Sequence, residues 1–150
     1  MPEDEIIERA REDEREGKSP STQAGEFVRE EMEHIREGEH GARSAQQAIA
    51  IGLSKARRAG VKLPRPKRGK ASARTRKQAK RDLAKGRKGR RKKPSRKRSR
   101  ATRRALKREG RSAASRKALS RQARSAACRR SAASRSRAAK KAARTRKKRG

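Results

Sequence analysis

Residues 63–150 carry forty lysine and arginine side chains, and the acids that oppose them are only Asp82 and Glu109. Residues 1–62 hold the other 14 acids together with 11 bases, a net charge of about −3. Like charges at that density repel one another in a compact state, so the basic segment, residues 63–150, needs a polyanion to neutralise it. Nucleic acid is the most abundant polyanion in a cell. The charge distribution therefore predicts a binding partner more strongly than it predicts a reaction.

Large apolar side chains are concentrated in the first 62 residues, where Phe27 is the only aromatic residue of the chain. Hydrophobic residues make up 28% of the sequence, and many of them are alanine. We therefore expect a core only in the head, residues 1–62, and expect that core to be small and marginal. Pro64 and Pro66 fix φ and remove backbone donors, which favours an extended linker. The expected domains are the head at 1–62, a proline-containing basic linker at 63–70 and a tail at 71–150.

Three short helices are predicted in the head. Acids follow Pro2 in the first helix, which suits the positive end of the helix dipole. Ser19 before Pro20 is typical of an N-cap with proline at the first helical position, and an apolar stripe around Phe27 follows. For the third helix, Ser44 followed by Gln47 predicts a capping box at the start, and Gly60 predicts a C-cap at the end.

The head also resembles a family of small uncharacterised bacterial proteins that join a helical head to a basic tail. Three ordered blocks carry the resemblance: Gly17 to Glu31, His40 to Ser44, and Gln47 to Val61. It covers roughly the first 66 residues and implies a bacterial source. It implies no activity and no site residues.

Arginine, lysine, alanine and serine dominate the tail, which is low in complexity. We expect it to be intrinsically disordered, so that the fold class is a small all-α head plus a disordered basic tail. In composition the tail resembles linker-histone tails and the basic tails of bacterial histone-like proteins. That resemblance implies a mode of binding and nothing more specific.

The expected function is DNA binding without sequence preference, by phosphate neutralisation, in a histone-like nucleoid-associated protein. The stretch from Lys85 to Arg100 is the densest, with 11 basic residues in 16. The residues expected to contact nucleic acid share a basic side chain in the tail: Lys85, Arg87, Lys88, Arg90, Arg91, Lys92, Lys93, Arg96, Lys97, Arg98, Arg100, Arg103, Arg104, Arg129, Arg130, Lys140 and Lys141.

Two other functions stay open at this point. One is an RNA- or ribosome-associated basic protein, although the tail has no aromatic residue on which bases could stack. The other is an interaction module whose head binds a protein partner or a second copy of itself, while the tail retains it on nucleic acid. Base-specific recognition is disfavoured, because the head lacks a helix-turn-helix signature and offers only a few bases around its third helix: Arg43, Lys55, Arg57, Arg58 and Lys62.

We expect no catalytic activity, no cofactor and no metal. His34 and His40 have a spacing that fits no familiar metal motif, and we interpret them as polar residues on a helix surface. Arginines near Cys128 favour its thiolate, but no partner base is evident. A secretory signal and a membrane span are not expected, so the predicted location is cytoplasmic, in the nucleoid, or nuclear in a eukaryote.

Overall fold

A computed structural model describes residues 2–89 and 95–149. Within these ranges the chain forms seven α-helices and one 3₁₀ turn. The helices are α1 (Pro2–Arg15), α2 (Pro20–Glu37), α3 (Ala45–Ala59), α4 (Ala73–Arg87), α5 (Arg96–Lys107), α6 (Arg116–Cys128) and α7 (Ala132–Arg149), and the 3₁₀ turn is Ser112–Ala114.

The three helices predicted in the head are present, with their predicted caps. The Ser19 and Ser44 hydroxyls accept hydrogen bonds from Thr22 N and Gln47 N, as N-caps do. Gln47 also closes the turn from the other side, because its Oε1 accepts from Arg43 N at 2.8 Å. Gly60 ends α3 in the left-handed region, with φ 108°.

The expectation of a disordered tail is wrong, because most of the described part of the basic segment is helical. Alanine, arginine and lysine have high intrinsic helix propensity, and the serines between the charge runs act as N-caps. Ser72 accepts from Thr75 N before α4, Ser95 from Arg98 N before α5, and Ser131 from Ser134 N before α7. Composition made this segment look featureless, whereas the serine positions divide it into helices.

The expectation that only the head contributes a core is also wrong. The main apolar cluster joins Ile6, Ala10, Ala24, Phe27, Ala56 and Val61 of the head with Leu63 of the basic segment. Ala79 of α4 and both alanines of the 3₁₀ turn are buried as well. Small side chains allow this, because alanine and glycine let helices approach closely without large apolar residues.

The described residues divide into two compact units, Met1–Ser115 and Arg116–Gly150. In the first unit α2 packs against α1 and α3, α4 packs against α3, and the 3₁₀ turn contacts α2 and α3. The second unit contains α6 and α7. No helix in the described ranges combines the length and hydropathy needed to cross a membrane.

Candidate nucleic-acid interface

The two acids of the basic segment form ion pairs with arginines of the head. Asp82 of α4 is 1% exposed, and its Oδ1 lies 3.7 Å from Nε of Arg58 in α3. Oδ1 also accepts a hydrogen bond from Gln78 Nε2 at 3.1 Å. Glu109, the other acid of the segment, has its Oε1 3.6 Å from Nη2 of Arg43 in the loop before α3. Both acids of residues 63–150 are thus paired with arginines of the head.

Arg57 holds the proline-containing stretch against the end of α3. Its Nε donates to Leu63 O at 3.3 Å and its Nη2 to Pro64 O at 3.2 Å. Burial lowers the pKa of the Arg57 guanidinium, and the nearby charge of Asp82 partly offsets that effect. The extended chain between α3 and α4 is therefore fixed by a buried cation.

Glycines allow the basic segment to dock closely on the head. A Cβ on Gly86 of α4 would collide with the carbonyl oxygen of Arg57 in α3. A Cβ on Gly41 would collide with the carbonyl of Glu109, where Gly41 N donates to Leu106 O at 2.9 Å. The end of α5 is therefore bonded to the loop that follows α2.

The head bases near α3 do not form a free recognition surface. Lys55 pairs with Glu31 at 2.9 Å, Lys62 with Glu14 at 2.9 Å, and Arg43 and Arg58 with the two acids of the basic segment. The fifth base of this group, Arg57, is buried. All five are thus paired with an acid or buried, although the side chains of Arg43 and Lys62 remain 82% and 83% exposed.

The predicted contact residues are spread over several helices, and all those with described side chains are exposed. Lys85 and Arg87 lie at the end of α4, and Lys88 is its C-cap. Arg129 and Arg130 lie between α6 and α7, and their guanidinium groups donate to the hydroxyls of Ser125 and Ser134. The remaining residues divide into those outside the described ranges (Arg90, Arg91, Lys92, Lys93), those in α5 (Arg96, Lys97, Arg98, Arg100, Arg103, Arg104) and those in α7 (Lys140, Lys141).

Helix α5 gathers most of its cations on one side, whereas Arg98 lies on the other. Arg96, Arg100, Arg103 and Lys107 recur at i, i+4, i+7 and i+11, which places them in one row along the helix. We call this row the α5 stripe. Lys97 and Arg104 flank it, and no residue of α5 is buried. The stripe faces solvent over the length of the helix.

Helix α7 carries a less regular stripe. Five of its cations recur at i, i+3, i+4, i+7 and i+11, namely Arg137, Lys140, Lys141, Arg144 and Lys148, whereas Arg135 and Arg146 lie among alanines on the other side. All five are exposed. Sequence reasoning found the charges but missed the stripes, because a disordered tail has no faces. Helical periodicity of the basic residues was the signal that could have revealed them.

A different cluster lies where the chain turns back after α2. Gly38 ends α2 in the left-handed region, with φ 85°, and His40 returns over the helix. His40 Nε2 lies 3.2 Å from Oε1 of Glu31, a carboxylate with no exposed side-chain surface. The rings of His34 and His40 have centroids 6.3 Å apart. The spacing of these residues along the sequence did not reveal that they meet.

Comparison with known proteins finds a match for part of the head and for the first residues of the basic segment. Residues 19–68 match a family model described as a family of unknown function (DUF6496). The match begins at the N-cap of α2 and ends in the extended stretch after α3, so it leaves out α1 and the helices of the basic segment. No curated protein and no solved structure matches the chain. About a third of the chain therefore resembles an uncharacterised family.

Proposed function

We propose that this protein binds duplex DNA without sequence preference, by laying the basic stripes of its helices along the phosphate backbone. The observation that carries the proposal is the segregation of charge. Asp82 and Glu109 are engaged with head arginines, while the cations of α5 and α7 face solvent. A surface of this kind lowers its electrostatic energy by replacing the counterions of a polyanion.

The spacing of the α5 stripe suits a duplex. From Arg96 to Lys107 the helix rises about 17 Å at 1.5 Å per residue. Duplex DNA presents roughly ten phosphates over that length, at one charge per ~1.7 Å of axis. The six cations on and beside the α5 stripe could therefore neutralise more than half of the adjacent phosphates. A protein of this kind would compact or bridge DNA in a histone-like manner and act in the bacterial nucleoid.

Base-specific reading is not part of the proposal. Bases placed on an exposed alanine-rich helix can contact phosphates, but base readout needs side chains held rigidly at base edges. The five head cations that could have formed such a rigid surface are paired or buried. The expected binding is therefore uniform across sequences.

A salt titration with matched charge variants tests the proposal. Affinity for two unrelated duplexes of equal length should be similar and should fall steeply with salt, with a log–log slope of about −0.9 for each phosphate contacted. In a variant combining R96Q, R100Q and R103Q, which removes three cations of the α5 stripe, the slope should become shallower by up to about 2.7. The control combines R9Q, R11Q and R15Q in the acidic helix α1. It removes the same net charge and should leave the slope unchanged.

Three results would contradict the proposal. A strong preference for one duplex would indicate base readout, and an equal loss in the α1 control would indicate that only bulk charge matters. Displacement of DNA by a ribosomal RNA fragment at a much lower phosphate concentration would favour the RNA-associated alternative.

A further inference from the structure

The structure holds a buried carboxylate beside two histidines, outside the basic stripes of α5 and α7. Glu31 lies in α2, and neither of its carboxylate oxygens accepts a hydrogen bond of acceptable direction. Its neighbours are cations or imidazoles: Lys55 Nζ lies 2.9 Å from Oε2, and His40 Nε2 lies 3.2 Å from Oε1. A fully buried carboxylate without hydrogen bonds requires positive charge close by.

The hydrogen bond of His40 to the backbone determines which of its ring nitrogens faces Oε1 of Glu31 without a proton. His40 Nδ1 lies 3.1 Å from the carbonyl oxygen of Gly41, which can only accept, so Nδ1 carries the proton. A neutral His40 then points the lone pair of Nε2 at the negative oxygen of Glu31. Two electron-rich atoms 3.2 Å apart repel each other unless a proton or a metal cation lies between them.

That separation suits a metal cation. In a tetrahedral zinc site, with bonds of about 2.0–2.1 Å to nitrogen and oxygen, neighbouring ligand atoms are about 3.3 Å apart. Glu31, His34 and His40 each offer a ligand atom, and these three atoms lie within 4.8 Å of one another. Because the three atoms lie within 4.8 Å and not within 3.3 Å of one another, binding would require a side-chain adjustment.

The surroundings of His40 match those of a metal ligand, and carboxylates lie near both ring nitrogens of His34. Zinc-bound histidines usually direct their second ring nitrogen at a backbone carbonyl or a carboxylate, which orients the ring. His40 directs Nδ1 at Gly41 O. For His34, Nε2 lies 3.9 Å from Glu30 and Nδ1 lies 3.9 Å from Glu39, so a carboxylate faces whichever nitrogen does not bind the metal.

We propose that Glu31, His34 and His40 bind one Zn²⁺ ion, with water as the fourth ligand. Two imidazoles and one carboxylate form a donor set that suits zinc and disfavours Mg²⁺, which prefers oxygen ligands. The ion joins α2 to the loop on which the end of α5 docks, because Gly41 N, next to His40, donates to Leu106 O. Zinc thus stabilises the attachment of the basic segment to the head. Lys55 competes with the ion for Glu31.

Zinc titration calorimetry on the full chain tests this site. The protein is freed of nucleic acid at high salt and carries C128S, because Cys128 is exposed and could bind zinc by itself. We expect one Zn²⁺ per chain and no comparable binding of Mg²⁺. H34Q, H40Q and E31Q should each weaken Zn²⁺ binding by more than about 100-fold, since even second-shell changes cost 10–100-fold. E33Q, which changes an exposed carboxylate of the same helix, should have no effect.

Substitution of Lys55 distinguishes a zinc site from a set of ion pairs that only stabilises the fold. K55M removes the competing ammonium group but keeps an apolar side chain, so it should tighten Zn²⁺ binding at least several-fold. If E31Q fails to fold, the two histidine variants and K55M still decide the question. Absence of saturable 1:1 binding in both the C128S protein and K55M would overturn the proposal. Equal losses in E33Q and the histidine variants would do so as well.

Discussion

Asp82 of α4 and Arg58 of α3 form an ion pair, 3.7 Å from Oδ1 to Nε, in which the acid is 1% exposed and the base about half exposed. One of the two acids in an 88-residue segment with forty bases is therefore placed where it joins that segment to the head. Buried Arg57 adds to the positive charge around it. Because acids are so rare in the basic segment, the position of Asp82 indicates where that segment attaches to the head.

Replacing Asp82 by Asn should destabilise the first unit. The change keeps the size of the side chain and one oxygen that can accept from Gln78, but leaves Arg57 and Arg58 without the opposing charge. We expect the free energy of unfolding to fall by about 1–3 kcal/mol. Urea denaturation followed by circular dichroism measures it. Glu109→Gln is the matched control, because the Glu109 side chain is 29% exposed and its pair with Arg43 should contribute less than about 1 kcal/mol. Equal effects of the two substitutions would show that burial of Asp82 has no special role.

Gly86→Ala should destabilise the protein, although alanine is the better helix former. The added Cβ would collide with the Arg57 carbonyl and push α4 away from α3. We expect a loss of about 1–3 kcal/mol, as for other overpacked contacts. Gly25→Ala in α2 is the control, because no atom lies within 4 Å of its Cβ position. It should stabilise the protein by about 0.5–1 kcal/mol. Stabilisation by both substitutions would mean that α4 does not pack closely on α3.

Ser95→Ala should weaken the first turn of α5. The serine hydroxyl accepts from Arg98 N at 3.3 Å, and loss of such a cap typically costs about 1 kcal/mol. Amide hydrogen exchange within α5 should become faster by roughly fivefold, since 1.4 kcal/mol corresponds to tenfold. Ser99→Ala, at an exposed position inside the same helix, should not accelerate exchange. Unchanged exchange in the Ser95 variant would show that the hydroxyl does not cap α5.

Phe27→Ala should be among the most destabilising substitutions in the head. Phe27 is 4% exposed and belongs to the cluster that joins α1, α2, α3 and Leu63. Removing the ring should cost about 3–5 kcal/mol. Phe27→Leu keeps most of the apolar surface and should cost clearly less. A thermal melt distinguishes the two, and an unchanged melting temperature in the alanine variant would mean that the ring is exposed in solution.

Much of the head could be predicted from local signals. Ser19, Ser44 and Gly60 act within one turn of the chain, so their effect on helix ends does not depend on the rest of the fold. The net charge of the basic segment is likewise a property of composition, and it determines the class of partner that we propose. The same local logic applied to Ser72, Ser95 and Ser131 would have revealed the helices of the basic segment. These N-caps were overlooked because the low complexity of the segment was interpreted as a sign of disorder.

The remaining features depend on contacts between residues far apart in the sequence. The pair of Asp82 with Arg58 and the approach of Gly86 to Arg57 exist only because α4 lies on α3, and no local sequence pattern indicates either contact. His40 meets Glu31 because Gly38 reverses the chain, which a search for metal motifs by spacing does not detect. Local sequence thus determined where helices begin and end and how much charge they carry. Tertiary packing decided which charges are neutralised inside the fold and which remain exposed for a partner, because ion pairing and burial depend on distance in space.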